Sequence, residues 1–214
     1  MRAELSIVIP TLEAGAALPA CLEAGFEGLR AGLIREVIVS DGGSTDATTA
    51  IAAAAGAVVV TGPPSRGGQL RRGAAAAGGT WLMALHADTV LPEGWAGIVR
   101  ARMARGRPAA FRLGFDAEGR APRLVAGWAN LRTRLFGLPY GDQALLMSRR
   151  AYDAAGGYPD IPLMEDVALA RALRARGWRI TLLPLRVTTS AARYRRDGWL
   201  RRGARNLWLL ARYL

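Results

Sequence analysis

Two hydrophobic periods alternate along the first half of the chain. Leu5-Ser6-Ile7-Val8-Ile9 is a β-branched run closed by Pro10-Thr11, which reads as a buried strand ending at a polar corner. Residues 16–31 then carry Leu18, Cys21, Leu22 and Leu29 at helical spacing. A second strand is predicted over 36–40, with Asp41 at its end, and the turn Gly42-Gly43-Ser44-Thr45-Asp46 leads into an alanine-rich helix over 47–55. A third strand over 57–61, a loop over 62–68, a helix over 69–77 and a fourth strand over 81–85 follow. Strands and helices joined by short connections are the pattern of βαβ units and a mostly parallel sheet. The second half is less periodic. It predicts a basic amphipathic helix over 94–104, a strand over 111–115, a helix over 124–136, a strand over 143–147, helices over 149–155 and 164–176, and a last strand over 179–183.

The fourth strand changes abruptly from apolar to polar at His86-Ala87-Asp88-Thr89. Open α/β sheets place ligand-binding groups at strand carboxyl ends. His86 and Asp88 are two apart, so in an extended segment both side chains point the same way and could reach one cation. The local alternative is a strand-to-helix turn with Asp88 or Thr89 as N-cap. Asp41 ends strand two in the same manner, and parallel strands bring such ends to one edge. Glu165 and Asp166 open a helix after a Pro-containing loop, where the structural alternative is interaction with the helix dipole. Asp46 is read as a helix cap.

Composition narrows the class. The 214 residues suit one domain with a sizeable core. With 51% hydrophobic and 21% charged residues the chain is not disordered. The net charge is +12, carried by arginine with no lysine, and it favours anionic partners. The single cysteine, Cys21, is expected in the core of a protein from a reducing, cytoplasmic compartment. No signal peptide is read at the start. Residues 47–65 carry no charged residue, but Gly56, Gly62, Pro63 and Pro64 break them into a helix, a strand and a loop, so no spanning helix is expected.

The Asp41–Asp46 turn is not a dinucleotide fingerprint, which needs three spaced glycines after the first strand. Together, Pro10-Thr11, Asp41-Gly42-Gly43-Ser44-Thr45-Asp46, His86-Ala87-Asp88 and Met164-Glu165-Asp166, in this order over residues 4–190, resemble glycosyltransferase family 2 and its GT-A fold. Gly141-Asp142-Gln143-Ala144, and a histidine where the family's first aspartate usually stands, resemble a bacterial subgroup linked to arsenosugar biosynthesis.

The resemblance implies an α/β fold of GT-A type, a mostly parallel central sheet flanked by helices. It implies a catalytic domain over 1–190, with a nucleotide-sugar half (1–90) and an acceptor half (91–190), and a basic amphipathic tail over 191–214. It implies an inverting transferase moving one sugar from a nucleotide-diphosphate sugar, a UDP-sugar first, to a hydroxyl acceptor, small or lipid-linked. Pro10, Thr11, Glu13, Asp41, Arg66, Ala87 and Asp88 would bind the donor. Asp88, with His86, would hold Mn²⁺ or Mg²⁺ on the diphosphate. Asp166 would be the base, with Glu165 beside it. Asp142, Gln143, Arg193 and Arg195 are candidates for the acceptor or diphosphate. The family's processive members carry a Gln-x-x-Arg-Trp motif. Here the region reads Ala192-Arg193-Tyr194-Arg195-Arg196, so single-sugar transfer is expected.

Two other classes were weighed. A nucleotidyltransferase would want a glycine-rich, arginine-containing loop directly after the first strand, where this chain has Pro10-Thr11-Leu12-Glu13-Ala14. A nucleic-acid-binding module is suggested by charge alone and lacks interleaved aromatic platforms, so no nucleic-acid partner is expected. The tail mixes Trp199, Leu200, Leu207, Trp208, Leu209, Leu210, Tyr213 and Leu214 with arginines. That composition fits contact with the inner face of a membrane, packing on the domain, or packing on a second copy in a homodimer.

Overall fold

The computed structural model describes residues 3–161 and 163–213; Met1, Arg2, Pro162 and Leu214, the last apolar position of the tail, lie outside it. Strand β1 (Leu5–Thr11) is buried along its length and sits between β2 (Ile34–Asp41) and β4 (Trp81–Ala84), parallel to both. Strand β3 (Val58–Thr61) extends this parallel set beyond β2. Helices α1 (Leu18–Arg30), α2 (Thr48–Ala54) and α3 (Arg66–Ala76) make the crossovers. The first half therefore has the expected βαβ order, with element ends within a few residues of those expected.

Beyond β4 come β5 (Thr89–Val90), α4 (Trp95–Ala104), β6 (Ala109–Phe115), α5 (Arg120–Phe136), β7 (Leu145–Ser148), α6 (Arg149–Ala154), α7 (Glu165–Ala175) and β8 (Thr181–Thr189). Helices α8 (Ala192–Asp197) and α9 (Trp199–Tyr213) end the described chain. The eight strands run in the order β3-β2-β1-β4-β7-β6-β8-β5. Strand β7 is antiparallel to β4 and β6, whereas β6 and β8 are parallel. The fold is thus α/β, with a mainly parallel sheet flanked by helices.

Alternate side chains of each buried strand feed the two cores. One holds Leu5, Ile7, Ile9, Met83, Trp95 and Phe111. The other holds Val8, Ile38, Leu82, Ala84, Leu145 and Leu173, and α9 reaches it through Leu210.

Three expectations change. Thr89 caps no helix, because Thr89–Val90 pair antiparallel with Thr188–Thr189 of β8. Strand β8 runs well past the expected 179–183 although it contains Pro184. Its register against β6 jumps from Ala110↔Leu182 to Arg112↔Arg186, so the residue without an N–H lies in an irregularity of the ladder. Helix α3 begins at Arg66 rather than 69, because the Ser65 hydroxyl accepts from the Gly68 N–H at 3.3 Å and caps it.

Helix α1 also buries a different face. Leu29 is exposed, and the buried positions are Leu18, Cys21, Gly25 and Gly28. A Cβ at Gly28 would stand 2.5 Å from Cη2 of the fully buried Trp95, while a Cβ at Gly25 would meet nothing. Gly28→Ala is therefore expected to lose about 1–3 kcal/mol through overpacking. Gly25→Ala is expected to gain roughly 0.5–1 kcal/mol from helix propensity. Chemical denaturation of both variants checks the contrast.

Candidate active site

The carboxyl ends of β1 and β4 open into a cleft of about 790 Å³. Its walls include Pro10, Thr11, Glu13, Ser65, Arg66, Gln69, Ala87, Asp88 and Asp160. The loops after β1 and β2 are laced together. Glu13 accepts from the Thr45 N–H at 2.7 Å and its own N–H donates to the Ser44 hydroxyl at 2.8 Å.

Asp41 is the post of this lacing. Its two carboxylate oxygens accept from the Thr11 hydroxyl (2.9 Å), the Ser44 hydroxyl (2.6 Å), the Gly43 N–H (2.9 Å) and the Ser44 N–H (2.7 Å). A carboxylate has about four acceptor positions, and all are taken. Burial alone would raise its pKa, but the bonds from Ser44, Thr11 and Gly43 outweigh that and hold it below the ordinary value. Only 1% exposed, Asp41 ties the loops after β1 and β2 together and is not among the residues that line the cleft.

Arg66 sits in the first turn of α3. Its Nε lies 3.2 Å from Glu165 Oε1, and its guanidinium rests on the His86 imidazole, 2.7 Å from Nδ1. Burial, then Arg66 and Arg193, push the His86 pKa well below its ordinary value, so the ring is neutral. His86 Nδ1 and Asp88 Oδ1 are 3.9 Å apart. The ring nitrogens of His86 face Arg66. Asp88, by contrast, lines the cleft and accepts a long 3.5 Å hydrogen bond from the Thr189 hydroxyl. Among the described residues no three His, Cys, Asp or Glu side chains converge as a metal cluster. The donor set fits a hard cation held by one carboxylate and by ligand oxygens better than a His/Asp pair.

A second cavity of about 220 Å³ shares Arg66, His86, Asp88, Ser190 and Arg193 with the cleft. On its far side are Glu165, Asp166, Asp142, Phe115, Tyr194 and, from α9, Arg202 and Asn206. The backbone places the acids: Met164 adopts a left-handed conformation (φ 64°) and aims the first turn of α7 inward. Asp166 accepts from the Gly141 N–H at 2.6 Å. Burial and the neighbouring Asp166 raise Glu165 to about 6, with Arg66 opposing. Asp142 is also raised to about 6, by burial first and then by Asp166 and Asp88 against Arg132 and Arg66. Its Oδ1 is buried with no hydrogen-bond partner among the described residues.

Two candidates stand elsewhere. Gln143 is completely buried; it donates to the Phe111 carbonyl and accepts from the Thr133 hydroxyl and the Tyr140 N–H, so it builds the loop under Asp142. Arg195 binds the Asp116 carbonyl at 2.7 Å, outside both cavities, whereas Arg193 lines both.

Sequence reading missed Gln69, whose amide bridges the Thr11 and Ser40 carbonyls. It also missed Asp160, which accepts from the Ser65 hydroxyl. The two glycines after Arg66 were a usable signal for the second. A Cβ at Gly67 would run into the Pro159 carbonyl, so α3 and the loop before α7 must meet there.

The sequence profile described as Glycosyl transferase family 2 matches residues 6–138. Among curated protein sequences none matches. A protein titled only as mycobacterial aligns with TM-score 0.61 and 22% identity over 88% of this chain, which spans 65% of that one. Mycobacterium tuberculosis glucosyl-3-phosphoglycerate synthase, solved with Mn²⁺, UDP and glucosyl-3-phosphoglycerate, aligns with TM-score 0.61 and 24% identity over 87% of this chain and 71% of its own. S. aureus TarS 1–349 aligns with TM-score 0.69 and 12% identity over 88% of this chain and 60% of its own. These structures share the GT-A fold; with the profile covering well over half of the sequence, the chain belongs to glycosyltransferase family 2.

Proposed function

We propose that the protein transfers one sugar from a nucleotide-diphosphate sugar, a UDP-sugar first, to a hydroxyl acceptor with inversion at the anomeric carbon. One observation carries the reading: two cavities meet at a wall of Arg66, His86, Asp88 and Arg193, and the acid pair Glu165-Asp166 lines only the smaller one. On this reading residues 1–90 form the donor cleft, residues 91–190 form most of the acceptor side, and α8–α9 close over it. UDP with Mn²⁺ or Mg²⁺ in the synthase neighbour supports the donor class. The synthase's glucosyl-3-phosphoglycerate supports a small acceptor; the arsenosugar subgroup rests on the Gly141–Ala144 segment and His86 alone.

In the proposed step the acceptor hydroxyl gives its proton to Asp166, whose carboxylate is held in place by the Gly141 N–H on one oxygen and the Val167 N–H on the other. The acceptor oxygen bonds to the anomeric carbon, and the bond from that carbon to the diphosphate oxygen breaks. The electron pair stays on the diphosphate. Arg66 and Arg193, which line both cavities, would stabilise that charge. Asp88 would hold a divalent cation, which supplies further positive charge to the diphosphate. Glu165 fixes Arg66, and Asp142 offers its unpartnered oxygen to an acceptor hydroxyl.

Asp166→Asn is expected to lower transfer by about 10²–10⁴-fold with UDP affinity nearly unchanged; loss of both, or of neither, rejects Asp166 as base. In calorimetry, Mn²⁺ or Mg²⁺ is expected to tighten UDP binding more than that of GDP or ADP, and Asp88→Ala to remove the tightening. Equal or absent binding of all three nucleotides removes the donor assignment.

The raised carboxyls also set a pH dependence of stability. Asp142 and Glu165 move from 3.8 and 4.5 to about 6 on folding. Between those values the folded chain holds protons that the unfolded chain has lost, so stability falls as pH rises from about 4 to about 6. Asp142→Asn should flatten that fall. Above pH 6 it should raise Tm by about 2–4 °C per kcal/mol relieved, as read by scanning calorimetry.

A further inference from the structure

Helix α5 is apolar on two opposite sides. Pro122, Ala126, Ala129 and Thr133 form its buried stripe. Half a turn away, Leu124, Trp128, Leu131 and Leu135 recur at intervals of four, three and four residues, and they are 73%, 45%, 47% and 62% exposed. A surface helix ordinarily turns polar residues outward there. Helix α9 packs beside α5 and adds Leu200 and Trp208, 87% and 57% exposed, while its inner side lines the smaller cavity and buries Leu210.

The charged residues of the two helices have one sign. Arg120, Arg123 and Arg134 of α5 and Arg201, Arg205 and Arg212 of α9 are exposed, and neither helix contains an acidic residue. A second copy docked on this face would set these arginines against their own kind with no carboxylate in either helix to pair with. A nucleic acid would leave the leucines without a partner. An anionic lipid surface satisfies both features: the leucines and tryptophans enter the acyl boundary, and the guanidinium groups remain at the phosphate level. No helix among the described residues is long and apolar enough to cross a membrane, so the contact is lateral.

We propose that the outer face of α5 and α9 docks the protein on an anionic bilayer surface. The face stands apart from the donor cleft and does not depend on the transfer reading, because vesicle binding is measured without substrate. The test is co-sedimentation of the full chain with phosphatidylcholine vesicles, with and without phosphatidylglycerol. Binding is expected only with the anionic lipid and should weaken as salt rises. Leu131→Glu with Leu135→Glu changes only exposed positions and is expected to lower partitioning by about tenfold or more. Trp128→Ser is a milder second variant expected to act in the same direction, and both should keep the parent's UDP binding and Tm. No binding to anionic vesicles overturns the proposal. So does binding that ignores both variants, since arginine alone would then account for it. A dimer in solution that these variants dissociate, without vesicle binding, assigns the face to a second copy instead.

Discussion

The Arg66 guanidinium is the constraint around which the site is arranged. It rises from the capped start of α3, a crossover of the parallel half, and reaches Glu165 at the start of α7 in the other half. In doing so it crosses the imidazole of His86 at the end of β4. Three segments far apart in sequence are thereby fixed around one permanent charge. The approach of the α3 backbone to the Pro159 carbonyl, which only glycine permits, makes that reach short enough. Arginine is suited to this place because it stays charged when partly enclosed and offers several donors in a fixed plane.

Backbone conformation repeats the emphasis. Among the described residues, three non-glycine residues have positive φ: Glu13, Ala144 and Met164. Glu13 lines the cleft, Met164 precedes the acid pair, and Ala144 follows the segment that donates to Asp166. Such conformations persist only where surrounding contacts over-determine them, and they cluster at functional sites. Here the contacts are identifiable: Thr45 and Ser44 hold Glu13, and the buried Gln143 amide holds the loop before Ala144.

The parallel half was legible in the sequence because β1 and β4 are continuous buried apolar runs and its strands are joined locally by single helices. The other half was less so, because its pairings are distant. Strand β7 inserts between β4 and β6, and β5 is too short to leave a periodic signal before it meets β8. At the site, position was legible and occupancy was not. Asp41 could be placed at a strand end, but nothing in its neighbours told that Thr11, Gly43 and Ser44 would fill all its acceptor positions. Gln143 could be placed beside a turn, but nothing in its neighbours told that Thr133 and Phe111 would draw its amide inside. His86 and Asp88 share a spacing, and only the fold reveals that the Arg66 guanidinium occupies the ring nitrogens of that histidine.

The two cavities differ in how they are built, and that difference bears on how the protein can diverge. The larger one is lined by loops whose hydrogen bonds run through the backbone of β1 and β2, so most changes there disturb the sheet. The outer wall of the smaller one is the α8–α9 pair, clasped to the end of β6 by the packed rings of Phe115, Tyr194 and Trp199. Substitutions at Arg202, Asn206 or Leu209 alter that wall without touching a strand. The helical pair is thus an evolutionary cassette: descendants of this chain can exchange it, and with it what the smaller cavity admits, while inheriting the parallel half unchanged.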